Sequence, residues 1–226
     1  MNLYKETTGY IIHQRNFKDS SLILEFFSRD HGKLQFIAKG IKKNKRQKTQ
    51  AQYFSLIKIQ YYGQSQLKTV TAMDIIEEIS HQSLIENTAG LYLNELLHYS
   101  LLENDKDHDL FQCYQHVIRR LGQEKLTPLL RLFEQQLLKY NGFELNVESY
   151  KDTNAWLTIN DDFGLTVTTK NTEKICQVKN LKDFTQGIKL DKQSQKNLNK
   201  LMYKAIDLSL NYKRIYAREL LKFITR

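Results

Sequence analysis

GYIIHQRNFKDSSLILEFFSRDHGKLQFIAKG (9–40) places apolar side chains two residues apart three times in succession. Tyr10 and Ile12 share a face of a first strand. Leu22, Leu24 and Phe26 share a face of a second, with Ile23 and Phe27 on its other side, and Leu34, Phe36 and Ala38 mark a third. Asp30-His31-Gly32 supplies a tight turn between the second and third. Further on, Ile57, Ile59 and Tyr61 alternate in the same way, and the stretch from Leu67 to Met73 is rich in Thr and Val. Five short strands within the first 73 residues fit a small closed barrel better than an open sheet, because closure removes exposed edges. Gly40 to Gln52 has few apolar residues and reads as a long loop between the third and fourth strands.

Beyond about residue 83 the spacing becomes helical. Leu93, Leu96, Leu97 and Leu101 fall on one stripe, and Leu110, Phe111, Tyr114, Val117, Ile118 and Leu121 on another. Thr127-Pro128 reads as a helix start, with Leu130, Phe133 and Leu137 continuing to a stop at Asn141-Gly142. Residues 155–178 return to β texture, with Asp161-Asp162-Phe163-Gly164 as a hairpin turn. Leu198, Leu201, Met202, Ala205 and Leu208 mark a late helix, and Tyr216–Ile224 a short last one. The chain is therefore expected to be α+β: a five-stranded barrel domain over 1–80, then a mainly helical domain over 81–226 with a small β insertion at about 155–178.

Charge is unevenly placed. The 226 residues carry 34 Lys+Arg and 25 Asp+Glu, a net charge of +9. Between His31 and Met73 stand nine cations (Lys33, Lys39, Lys42, Lys43, Lys45, Arg46, Lys48, Lys58, Lys68) and no acid, so this window holds the whole excess. Concentrated positive charge makes a directional field suited to polyanions. Phe36, Tyr53, Phe54, Tyr61 and Tyr62 lie in the same window, and rings of this kind stack on unpaired bases. The bland alternative is a solvated lysine loop that only aids solubility. A second basic group, Lys213, Arg214, Arg218, Lys222 and Arg226, either extends a nucleic-acid track or merely favours a helix C-terminus.

Catalytic signals are weak. The six histidines show no HExxH spacing, and His108 and His116 are eight residues apart. There is no GxSxG and no phosphate-cradling GxxxxGK. Asp74, Glu77 and Glu78 sit at i, i+3 and i+4, which suits either an acidic first helical turn or a divalent-cation site. Cys113 and Cys176 are too few for a disulfide framework or a cysteine-based zinc site; they read as two buried free thiols, with a single bridge between them as the alternative. The N-terminus lacks the pattern of a secretory signal, and no run approaches the length of a membrane span. A cytoplasmic, non-enzymatic protein without cofactor or membrane partner is expected.

One longer resemblance is present. GYIIHQRNFKDSSLILEFFSRDHGKLQFIAKGIKKNK (9–45) resembles the N-terminal OB-fold of the bacterial RecO recombination mediators, with Ser21, Phe27, Ser28, Gly32 and Ala38-Lys39-Gly40 at the family's positions. LYLNELL (91–97), LLRLFEQQLLKYNGF (129–143) and RELL (218–221) resemble later family segments. The resemblance implies an OB-fold barrel and a nucleoid-associated protein that binds single- and double-stranded DNA and anneals complementary strands. It implies two partners, RecR and the acidic C-terminal tail of single-stranded-DNA-binding protein, with recombinase loading as the outcome. Many members carry a four-cysteine zinc motif that this chain lacks, so the metal-free branch is expected.

Phosphate contacts are then expected from Lys39, Lys42, Lys43, Lys45, Arg46 and Lys48, with Phe36 and Tyr61 as stacking rings. The acidic, apolar tail needs a cation beside a hydrophobic groove, and Arg131 with Leu130 and Phe133 answers that description. The competing readings are an OB-fold RNA-binding protein in translation or RNA processing, and a metal-dependent nuclease built on Asp74, Glu77 and Glu78.

Overall fold

A computed structural model describes residues 4–143, 145, 147–160 and 164–224. They form two compact units, 1–133 with 215–226, and 134–214. The first helices after the barrel thus pack in the barrel's own unit, as does the C-terminal helix.

In the first unit β1 (Lys5–Phe17), β2 (Ser21–Ser28), β3 (Gly32–Ala38), β4 (Leu56–Tyr62) and β5 (Leu67–Glu77) close a barrel in the order β1-β2-β3-β5-β4. All pairs are antiparallel except β3–β5, which runs parallel from Gln35↔Leu67 to Ile37↔Thr69. The α+β expectation with an N-terminal five-stranded barrel therefore holds. Its interior holds Ile11, Leu24, Phe26, Phe36, Ile57 and Ile59, each fully buried. Phe36 meets Phe26 and Tyr61 edge-on at 5.7 and 5.1 Å, a favoured aromatic geometry. The β1–β2 register shifts between Ile11 and His13, the mark of a bulge that bends the long first strand.

Part of the barrel's outer surface is apolar too, where helix α3 (His108–Arg120) covers it, and there Phe27 is buried on the face opposite the interior. Helix α3 lays Phe111 and Tyr114 on this outer surface, where Tyr10 meets Tyr114 edge-on at 5.0 Å and Phe27 meets Phe111 edge-on at 5.2 Å. The Tyr114 hydroxyl donates to Asn94 Oδ1 of α2 (Leu84–Ser100) at 2.6 Å, so the buried phenol is satisfied. Ser83 and Glu86 cap α2 with a reciprocal box. At Gly32 φ is +67°, and a Cβ there would come within 2.0 Å of the Asp105 carbonyl oxygen, so this turn needs glycine.

Helix α7 (Tyr216–Ile224) packs on α2, and the Glu95 carboxylate accepts from the Tyr216 and Ala217 amides at 3.0 and 2.8 Å. These are first-turn N–H groups without intrahelical partners. Replacing Glu95 with Ala should therefore cost about 1 kcal/mol. Hydrogen exchange should report it as faster exchange across 216–224 with the barrel strands unchanged.

Helix α4 (Leu126–Tyr140) runs from the first unit into the second and stops where expected: Gly142 has φ +77°, and the Phe143 amide donates to Leu138 O at 2.8 Å. It begins at Leu126, so Thr127 lies inside its first turn rather than capping it. In the second unit β6 (Trp156–Asn160), β7 (Gly164–Thr168) and β8 (Cys176–Gln177) form a sheet ordered β7-β6-β8. The predicted turn residues Asp161, Asp162 and Phe163 lie outside the described residues. Helix α5 (Val178–Thr185) is not foreseen from the sequence. Helix α6 (Lys192–Ser209) buries Leu198, Leu201, Met202, Ala205 and Ile206.

The segment read as a loop contains a helix, α1 (Lys45–Gln50), capped by Asn44, whose side chain accepts from the Gln47 amide at 3.2 Å. KRQKTQ has no apolar stripe, so its period is silent. Its ends decide its place: Ile41 and Ala51 are in the barrel's buried interior, and Gln50 Oε1 accepts from the Ile75 amide at 2.8 Å.

Candidate nucleic-acid interface

Lys39, Lys42, Lys43, Lys45, Arg46 and Lys48 are all exposed, and none has an ion-pair partner among the described residues. Lys39, Lys42 and Lys43 stand on two successive turns, with Lys43 N donating to Gly40 O at 3.0 Å and Asn44 N to Ile41 O at 3.2 Å, and Lys45, Arg46 and Lys48 stand on α1. A further bond, Lys42 N to Ser20 O at 3.1 Å, ties these turns to the β1–β2 connection. The cations therefore stand on a short scaffold fixed to the barrel.

Folding brings acids to other cations of the window. Lys58 pairs with Glu6 at 2.6 Å, and Lys33 with Glu25 at 3.1 Å. Lys33 is 9 % exposed, and its ammonium also donates to the His98 carbonyl at 2.9 Å. Glu25 accepts from His98 Nδ1 at 2.7 Å. Burial opposes ionisation of Glu25, but the His98 hydrogen bond and the Lys33 charge outweigh it and hold its carboxyl down at about 2. With Gln35 donating to Glu103 at 2.7 Å, the outward residues of β2 and β3 are engaged by the helical extension. That strand face, with its flanking loops, is the usual ligand surface of OB-folds. Here the open cationic ground lies beside it, at the β1–β2 end and α1.

The aromatic expectation needs correcting. Phe36 is fully buried and Tyr61 is 3 % exposed, because the alternation that builds the barrel points both rings into its interior. Phe54 is buried too, and Tyr53 is half-buried. Of the five rings in the basic window Tyr62 is the exposed one, and it meets the exposed Tyr4 edge-on at 6.3 Å.

Arg131 is also placed otherwise than expected. It is 1 % exposed, with Leu130 at 7 % and Phe133 fully buried, so these side chains offer no open groove to an acidic peptide in this structure. Leu130 and Phe133 stand at i and i+3 on α4, the spacing of a buried stripe, and Arg131 is buried with them. Arg218 and Lys222 lie on α7, in the barrel's unit; Lys213 and Arg214 belong to the other, and Arg226 is outside the described residues.

Asp74 and Glu77 are on strand β5, not on a helix, so positions i and i+3 fall on opposite faces rather than together. Glu77 is bound by the Arg119 guanidinium, whose Nε donates to Oε1 at 2.9 Å. No group of three or more potential metal ligands occurs among the described residues. Cys113 is half-buried and Cys176 buried; both are free, and burial pushes both thiols up to about 12, away from reactive thiolate.

Arg15 carries no signal in the sequence. It is exposed on β1 and, with Lys42 and Lys48, lines a concavity of about 520 Å³ completed by Gln14, Asn16, Leu22 and Ala51. Only the closure of β1 against the α1 segment brings it there.

Two family models match the chain in order, Recombination protein O N terminal over residues 1–79 and Recombination protein O C terminal over residues 81–211. The chain belongs to the RecO family. A RecO relative, the DNA repair protein RecO of Idiomarina loihiensis, is 26 % identical over 224 residues, covering 94 % of this chain and 95 % of that protein. The DNA repair protein RecO of Glaesserella parasuis is 30 % identical over 138 residues, 60 % of this chain and 58 % of its own length. That of Cellvibrio japonicus is 34 % identical over 143 residues, 61 % of this chain and 59 % of its own. The match thus spans less than two-thirds of these last two RecO proteins. No helix among the described residues is long and apolar enough to cross a membrane.

Proposed function

We propose that this chain is a DNA-binding mediator of recombinational repair, acting without catalysis of its own at the cytoplasmic nucleoid. It binds single- and double-stranded DNA and anneals complementary strands. With RecR, and through the acidic tail of single-stranded-DNA-binding protein, it helps load recombinase onto coated strands. The observation that carries this reading is the set of six exposed cations on the tethered α1 segment, none met by a carboxylate among the described residues. Lysine and arginine so placed release counterions from a phosphate backbone without reading its sequence. Family membership supports the choice of DNA and repair.

The test is annealing of complementary oligonucleotides, followed by fluorescence quenching, with and without the protein. Acceleration that disappears when Lys42, Lys43, Lys45 and Arg46 are all changed to Ala is expected. No acceleration by the unaltered chain would remove annealing from the assignment. A clear preference for RNA over DNA of equal length would instead favour the RNA-binding reading. A pull-down of single-stranded-DNA-binding protein should succeed with its acidic tail and fail without it. Because Arg131 is buried, Arg131→Ala is not expected to reproduce tail deletion by removing an exposed contact.

A further inference from the structure

We propose that the concavity between β1 and α1 is a mononucleotide pocket, holding one unstacked nucleotide of a single DNA strand. The proposal rests on the α1 segment being a DNA interface and goes further, to a ligand unit and a strand preference. Its walls come from separate parts of the chain: Arg15 from β1, Lys42 from the turn after β3, and Lys48 from α1. All three cations are exposed, have no ion-pair partner among the described residues, and share the cavity with no carboxylate. A lysine-rich loop serving solubility alone needs no third cation from a distant strand.

The remaining lining suits the rest of a nucleotide. Leu22 and Ala51 pack at the barrel's apolar interior and supply an uncharged floor for a base or sugar. Gln14 and Asn16 each carry an amide donor and acceptor, which can meet any base edge and so impose little sequence preference. The volume of about 520 Å³ lies inside the ~300–1,000 Å³ range of small-ligand pockets. A paired and stacked base reaches such a pocket only by leaving the helix, at a cost of a few kcal/mol. The phosphate contacts are open to either form of DNA, whereas the pocket is open to single strands.

Arg15→Ala separates these roles, since Arg15 is exposed on the strand and outside the lysine segment. Salt-dependent binding of oligo(dT) and of a duplex of the same length is the measurement, with titration of deoxythymidine 5′-monophosphate against inorganic phosphate beside it. The expected result is a weaker single-strand affinity with a salt slope flatter by about 0.7, an almost unchanged duplex affinity, and saturable binding of the mononucleotide that phosphate matches only weakly. Equal losses for single strand and duplex would make Arg15 an ordinary backbone contact and overturn the pocket. Equal binding of phosphate and mononucleotide would leave an anion site only and overturn it too. If Arg15→Ala matches the unaltered chain while changing the α1 lysines weakens binding, the pocket falls and the interface stands. If neither change matters, both fall.

Discussion

Changing Lys42, Lys43, Lys45 and Arg46 together to Ala should flatten the log–log salt dependence of single-strand binding by about 3, at roughly 0.7 for each phosphate no longer neutralised. Between 50 and 200 mM salt the unaltered chain should then lose roughly 50-fold more affinity than the variant. Filter binding or fluorescence anisotropy over that range reads the difference directly. All four side chains are exposed and outside the barrel core, so the variant should keep its thermal midpoint. An unchanged slope with an unchanged midpoint would refute the segment as the phosphate-binding element.

The second large effect is on stability. Glu25→Gln leaves the Lys33 ammonium, on a residue 9 % exposed, without its carboxylate. Removing one partner of a buried pair typically costs about 3–5 kcal/mol, and the urea midpoint should fall accordingly. The pH dependence carries the sign. The folded carboxyl titrates at about 2 against an ordinary 4.5, so the unfolded chain takes up this proton more readily. The stabilisation is complete above about pH 4.5 and is lost as pH falls toward 2, by up to about 3 kcal/mol. In Glu25→Gln that part of the acid limb should vanish. A variant whose stability falls as steeply in acid as the parent's would show that Glu25 is not the group responsible.

The barrel is legible because closure needs alternation, and 9–40 alternates. The same alternation rules out Phe36 as a stacking ring: it shares its face with Leu34 and Ala38, and that face is the interior. Tyr61 follows the same logic beside Ile57 and Ile59. The Asp74–Glu78 spacing suits a helix, yet the strand begun at Leu67 simply continues through Glu77. Arg131 shows the limit of reading charge as exposure, since on α4 it is buried along with its apolar neighbours. Helix α1 and Arg15 offer no signal to read. The first has no apolar period, and the second acquires its neighbours only when β1 and the α1 segment meet.

The moorings of α1 at Ile41 and Ala51 bear on the entropy of binding as well as on its place. Fixing one backbone residue costs roughly 1–2 kcal/mol of conformational entropy. A free lysine loop of about ten residues would surrender that freedom upon meeting a strand. This one surrenders it when the barrel forms, so the protein side of the encounter is preorganised and the ordering left to be done is chiefly that of the DNA.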